Sequence, residues 1–472
     1  MSERDTIAAT APPPESERRA VMDADDRLRP AFVAKVLDAV EAGDNDTARA
    51  LVEPLHPADI ADLIELAAAD EREGLVAALA GIVDADVYAE LNEHVRETLI
   101  DEMEPHQVAD LAGQLDTDDA VAIIEDLDRD EQQAVLSAMD PDDRAAVEEA
   151  LTYAEKTAGR LMQRDLIAVP EHWTVGKVID YLRSSDELAD DFWEVFVVSP
   201  NHHPVGTCKL SIILRSPRTV RVDAIMHREQ TLIPVDLDQE EVALRFQKYA
   251  LISAAVVDPS GRLVGMITVD DIVHIIQEEA GEDVLLLSGA GDGDINEPIG
   301  LTVRTRLWWL VVNLGTAILA AAVVGGFEAE ISKLAVLAVL MGIISGMGGN
   351  AGTQTLAVVV RALATNQLTS SNTARMIRRE LVIALANGVV LALITGGGTI
   401  LIYHNVPLGL VMGAAMIINN IVAGLSGILV PLALEKMRID PAVSSAVFVT
   451  MMTDVMGFFS FLGLAQLAGL AG

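Results

Sequence analysis

The 472-residue chain is longer than one ordinary domain and carries a formal net charge of −38, which repels phosphate backbones and excludes nucleic acid as a partner. The excess is uneven: residues 1–300 hold 24 Lys+Arg against 65 Asp+Glu, whereas residues 301–472 hold nine against six. With only seven lysines in the whole chain, the acidic part has the composition of a surface suited to concentrated salt, and the single cysteine, Cys208, rules out an intramolecular disulfide or a Cys-rich metal site.

Residues 1–27 begin MSERDTIAATAPPPESERRA, with no apolar stretch of the kind a secretory signal needs, and read as a disordered tail. Residues 28–156 are rich in Ala, Leu, Asp and Glu at helical spacing. Segments such as HPADIADLIELAAA, PHQVADLAGQL and TDDAVAIIEDL each open on a capping residue or Pro. None could bury its apolar face alone, so the expectation is a superhelix of short stacked helices.

From residue 157 short β runs alternate with helices, and the pattern is duplicated. Leu161-Met162 and Ile225-Met226 precede Val169-Pro170 and Ile233-Pro234, and VVSPNHHPVG (197–206) matches VVDPSGRLVG (256–265). The duplication resembles a tandem CBS pair, a ligand-sensing module, with copies at 157–223 and 224–274. In the second copy Gly265, Thr268 and Asp271 match the pattern used for a nucleotide ribose and phosphate. The first copy has Ile212 where that acid would stand, so the resemblance implies at most one ATP site. Residues 275–303 read as a connector helix with acids on one face, followed by a Gly/Asp-rich turn.

Residues 304–472 hold five apolar stretches, near 307–327, 331–363, 377–403, 408–434 and 442–470, each long enough to cross a hydrocarbon core of about 30 Å. Arg304, Arg306, Arg361, Arg375, Arg378, Arg379, Lys436 and Arg438 fall on one side of a five-span arrangement and Lys333 alone on the other. The basic side faces the cytosol, which places the acidic region and N-terminus inside the cell membrane and the C-terminus outside. The second stretch, 33 residues, would run roughly 50 Å as a straight helix. Its SGMGGNAGTQT, with polar Asn350 and Gln354, reads as a break lining a cavity.

The last stretch carries one ionisable residue, Asp454. Deep in a bilayer a charged carboxylate costs roughly 2.5–3.5 kcal/mol unless paired or hydrated, and no basic residue lies at matching depth. Thr450 and Gly457 share its helix face, and Asn419 and Asn420 add polar surface in the fourth stretch. No nucleophile–base pair, metal triad or phosphate loop has enzyme-like spacing.

The order of helical domain, CBS pair, connector helix and five spans, with GGNAGTQ in the second span and TDVMGFF in the fifth, resembles the MgtE-type magnesium transporter family. The resemblance implies a homodimer with one pore, in which paired Asp454 carboxylates hold the water shell of Mg2+, and Thr450, Gly457 and Asn420 are pore neighbours. It also implies closure by cytosolic Mg2+ bound through Asp271, Glu279 and Glu282 on the CBS and connector ("plug") segments and Asp440 at the start of the last span. Three positions depart from the family pattern: Ala250 and His274 stand where acids are common, implying a weaker or displaced magnesium response, and Ser445-Ala446-Val447 replaces Ser-x-Pro, implying a different local geometry at the gate but still a pore. The alternative function is a proton-coupled divalent-cation transporter with Asp454 titrating.

Overall fold

The computed structural model describes residues 21–125, 127–184, 188, 192–289, 296–369, 371–443 and 445–470. The expected tail up to residue 20, and residues 290–295 of the Gly/Asp-rich turn, lie outside them. The chain divides into two compact units, Met1–Ile276 and Gln277–Gly472.

The first unit begins with short helices, from α1 (Pro30–Glu41) to α10 (Pro141–Ala150). Their sequence explains their length. Pro stands in the first turn at Pro30, Pro57, Pro105 and Pro141, where its missing N–H costs nothing. Asp44, Asp84 and Asn92 cap others by accepting from Thr47, Val87 and His94 backbone N–H groups. Helices this short are marginal alone; here they share one core that includes Val36, Leu63, Leu75, Val95 and Ile124. Val21 and Met22, expected in the tail, pack into this core instead. Met22 bridges to Leu28, both side chains are buried, and Arg29 Nε donates to the Met22 carbonyl at 2.7 Å.

Two three-stranded sheets follow, and they repeat one another. In the first, β1 (Ala168–Pro170) pairs parallel with β2 (Glu194–Val198), which pairs antiparallel with β3 (Pro204–Lys209). In the second, β4 (Leu232–Pro234), β5 (Ser253–Val257) and β6 (Leu263–Thr268) do the same, and the register slips at the matching place, Val197/Val198 and Val256/Val257. The copies are interlocked. Gln163, ahead of β1 in the first copy, exchanges backbone hydrogen bonds with Met266 of the second, while His227, ahead of β4 in the second copy, exchanges them with Thr207 of the first. The duplicated Met-containing leaders and glycines have a packing reason: a Cβ on Gly265 would lie 2.7 Å from Met162 Sδ, and one on Gly206 3.0 Å from Met226 Sδ.

The second unit contains most of α14 (Val269–Ser288) and five helices long and apolar enough to cross a membrane. These are α15 (Ile299–Gly325), α17 (Val336–Ala364), α18 (Thr373–Tyr403), α19 (Val406–Lys436) and α20 (Ser445–Leu467); the short α16 (Glu328–Lys333) precedes α17. The most enclosed of the five is α19, which packs against α17, α18 and α20. The second stretch is not broken within SGMGGNAGTQT: α17 is continuous through it, and the chain turns earlier, between α16 and α17. Its glycines serve close approach. A Cβ on Gly348 would fall 2.1 Å from Asn419 Nδ2 of α19.

Candidate functional site

In the second unit, Asp454 sits midway along α20, half-buried. Its Oδ1 accepts a hydrogen bond from Ser345 Oγ of α17 at 2.5 Å. A hydroxyl donating to a carboxylate is worth about 1.5–3 kcal/mol, comparable to the cost of a carboxylate at membrane depth. Asp454 Oδ2 has no hydrogen-bond partner among the described residues. Sequence reading passed over Ser345 as part of a glycine-rich run, since nothing in that run says which helices touch.

The two asparagines of α19 separate. Asn419 is fully buried between α17 and α20: Nδ2 donates to the Ile344 carbonyl at 2.8 Å, and Gly457 leaves room for it, since a Cβ there would lie 3.0–3.1 Å from its amide. Its Oδ1 is enclosed without a hydrogen-bond partner. Asn420 instead bonds back to the Met416 carbonyl of its own helix, with its Cβ beside Gly388 of α18. The two neighbours diverge because one residue step on a helix turns the side chain by about 100°. Thr450 is half-buried, whereas Asn350 and Gln354, four apart on α17, are exposed on the single chain. Glu380 is a second carboxylate in a spanning helix that the sequence reading missed. It is buried near the start of α18, 3.5 Å from Thr355 Oγ1, and the preceding arginines made it look like part of a solvated border.

At the foot of the second unit, Glu279, Glu282 and Asp283 lie within one turn of α14, each half-buried. Burial and the nearby charges of Asp440, Glu279 and Glu282 push Asp283 up to about 6. Asp440 is exposed and accepts from the Ala442 N–H at 2.7 Å, turning the chain into α20. Asp283 was not foreseen; the i, i+4 spacing from Glu279 was the available signal.

The first unit holds another set of acids. Asp271, at the start of α14, has an Oδ2 that accepts from Thr268 Oγ1 at 2.7 Å and Gln163 Nε2 at 3.4 Å. Asp118 and Asp119 open α8 (Thr117–Glu125). Burial raises all three. Asp271 and Asp119 reach about 6, and Asp118, repelled also by Asp271, Asp119 and Asp116, goes well above its ordinary range. Asp118 Oδ1 is enclosed and meets no donor among the described residues. Arg160 pairs with Glu125 at 3.5 Å and Arg164 with Glu149, while Arg96 and His274 partly oppose the rise at Asp119. Thr268 Oγ1 thus donates to Asp271, and a Cβ on Gly265 would meet Met162 Sδ at 2.7 Å and the Gln163 carbonyl at 2.9 Å.

Among the described residues no three His, Cys, Asp or Glu side chains are grouped to hold a metal directly. That suits Mg2+, which keeps much of its water shell and takes one or two carboxylates. The enclosed Asp118 oxygen and the mutual repulsion around it fit a cation as the missing compensation.

A family model described as a divalent cation transporter, MgtE, matches residues 341–464; one described as the MgtE intracellular N domain matches 55–156, and a CBS model matches 222–278. The chain is 32% identical over 324 residues to magnesium transporter MgtE of Enterococcus faecalis, covering 68% of this chain and 70% of that one. To magnesium transporter MgtE of Thermus thermophilus it is 33% identical over 325 residues, covering 68% and 72%. A crystal structure of the cytosolic domain of the Mg2+ channel MgtE in complex with ATP is similar to 52% of this chain and covers 99% of its own, at 28% identity and a TM-score of 0.48.

Proposed function

This chain belongs to the MgtE family of divalent cation transporters, and from that membership we propose that it carries Mg2+ into the cytosol through a pore lined by Asp454 in a homodimer. The observation that carries the reading is the half-buried Asp454, with one oxygen held by Ser345 and the other without a partner. Two such carboxylates, related by symmetry, suit a hard cation that sheds its water reluctantly. The exposed Asn350 and Gln354 of α17 support a wet face or a second subunit there, since bare amides facing lipid are costly. Asn419, rather than Asn420, joins Thr450 and Gly457 in supporting that wall.

Gating follows from the acids. Carboxylates held near one another repel and favour separation, and bound Mg2+ reverses that sign, so the ion acts as a ligand with higher affinity for the closed state. Glu279, Glu282, Asp283 and Asp440 form one sensor and Asp118, Asp119 and Asp271 the other. The basic ends of the spans face the cytosol, with the C-terminus outside.

The test is magnesium uptake in cells lacking their own import, comparing wild type with Asp454→Ala. The expected result is loss of uptake with normal membrane delivery. Equal uptake discards the pore role, and flux that tracks an imposed proton gradient instead of the magnesium gradient favours coupled transport.

A further inference from the structure

A cavity of about 440 Å³ opens where α17 ends and α18 begins, and its polar lining is dominated by Arg361, Arg375 and Arg379. Arg375 and Arg379 are one turn apart on α18, and all three arginines are exposed. None makes an ion pair among the described residues. The nearest acid in sequence, Glu380, is buried and turned toward Thr355. The remaining lining is apolar, with Leu368 buried in the floor against Val359 and Ile428, Met376 beside it, and Val358 exposed at the edge. The loop between the helices is built to hold this shape. Asn372 Nδ2 donates to the Gln367 carbonyl at 2.7 Å, and its Oδ1 accepts from Thr369 N–H at 2.9 Å.

Topology signals alone require only that arginines lie on one side of the membrane. They do not require three of them to converge without acidic partners on a preformed hollow with a greasy floor. We propose that this cavity is a binding site for the phosphate headgroup of an anionic membrane lipid. The arginine forks take the phosphodiester oxygens, and the glycerol and upper acyl carbons lie along Met376 and Val358. A lipid is the source, not a free phosphate, because the cavity sits at the ends of two membrane-crossing helices and more than half its character is apolar. Basic pockets between spanning helices on the cytoplasmic side are suited to such headgroups. The site is independent of the pore and sensor assignments and needs only that α17 and α18 cross the membrane.

Native mass spectrometry of the purified full-length protein in detergent, titrated with phosphatidylglycerol or phosphatidylcholine, tests it. Each arginine near a membrane phosphate contributes roughly fivefold in affinity, so wild type should retain phosphatidylglycerol about a hundredfold better than Arg361→Gln/Arg375→Gln/Arg379→Gln. Arg304→Gln/Arg306→Gln, which removes basic residues outside the cavity, should bind as wild type. If the triple variant is not monodisperse, Arg375→Gln alone is read, with about a fivefold loss expected. Equal retention by wild type and the readable variant overturns the site. Displacement of bound lipid by millimolar inorganic phosphate overturns the lipid as its occupant in favour of a soluble anion.

Discussion

Replacing Asp118 by Asn keeps the shape of the side chain and removes one negative charge from the crowded side of the first unit. Burial and like charge hold Asp271 at about 6 against an ordinary 3.8, so keeping that one carboxylate ionised at neutral pH costs about 3 kcal/mol. Asp118 is displaced in the same direction and further, with an enclosed oxygen that no donor reaches. Against this, an acid at the start of α8 interacts favourably with the helix N-terminus by about 0.3–1 kcal/mol. Asp118→Asn should therefore stabilise the metal-free first unit by about 1–3 kcal/mol at neutral pH, or roughly 2–10 °C in melting temperature for a unit of this size. The assay is thermal unfolding of the full-length protein in EDTA and in millimolar Mg2+, across pH. All three acids have raised folded-state values, and for Asp119 and Asp271 the native state binds more protons than the unfolded chain between about pH 4 and pH 6. Wild-type stability in EDTA should accordingly fall as pH rises through that window, and Mg2+ should restore it at neutral pH. The variant should show a shallower fall and a smaller rescue. A variant that melts below wild type in EDTA, with its Mg2+ response intact, refutes the idea that Asp118 stands uncompensated.

Glu279→Ala with Glu282→Ala should raise the cytosolic Mg2+ needed to shut off flux, because it removes two of the carboxylates crowding Asp283; an unchanged threshold in reconstituted vesicles rejects that sensor. Gly348→Ala would drive a methyl onto Asn419, where relief by shifting costs about 1–3 kcal/mol, and Gly457→Ala should be milder because its nearest contact is 3.0 Å; the order of their melting temperatures checks this. Ala250 ends the helix Gln239–Tyr249 in the left-handed region at φ 50°, so Ala250→Gly should raise stability by about 1 kcal/mol; a decrease shows that the methyl has a packing role.

The duplicated β pattern and the five apolar stretches were legible because both rest on periodicity, a local property. The Met162 and Met226 leaders could be aligned from sequence, but not the crossing that seats each against the other copy's glycine. That crossing is a long-range pairing with no signature within either copy. In the same way the depth of Asp454 could be counted along one helix, while its partner Ser345, 109 positions away, could not. The choice between Asn419 and Asn420 depends on the rotation of α19, which apolar residues on every face leave unspecified. Asp118 was hidden for the opposite reason. In a chain with 71 acids, one more Asp after a helix cap reads as solvated surface until its enclosure is seen.

That contrast bears on how so acidic a protein can sense one cation. Most of its carboxylates are exposed, and at about 1 M salt the screening length is about 3 Å, so their summed field cannot distinguish Mg2+ from the monovalent ions around them. A carboxylate withdrawn from solvent is different: neighbouring charges act on it through a medium that salt does not enter, and a single divalent ion gains from two carboxylates at once. The displaced groups Asp118, Asp119, Asp271 and Asp283 meet that condition, and together they are a small fraction of the acids present. The elevation of Asp119, Asp271 and Asp283 to about 6 also sets a bound, because a proton supplies the same neutralisation as the metal. As pH falls through that value, protonation competes with binding, and more Mg2+ is needed to occupy the same sites. Sensing by these residues is therefore confined to conditions near and above neutrality, where the buried charges are present and only a bound cation relieves them.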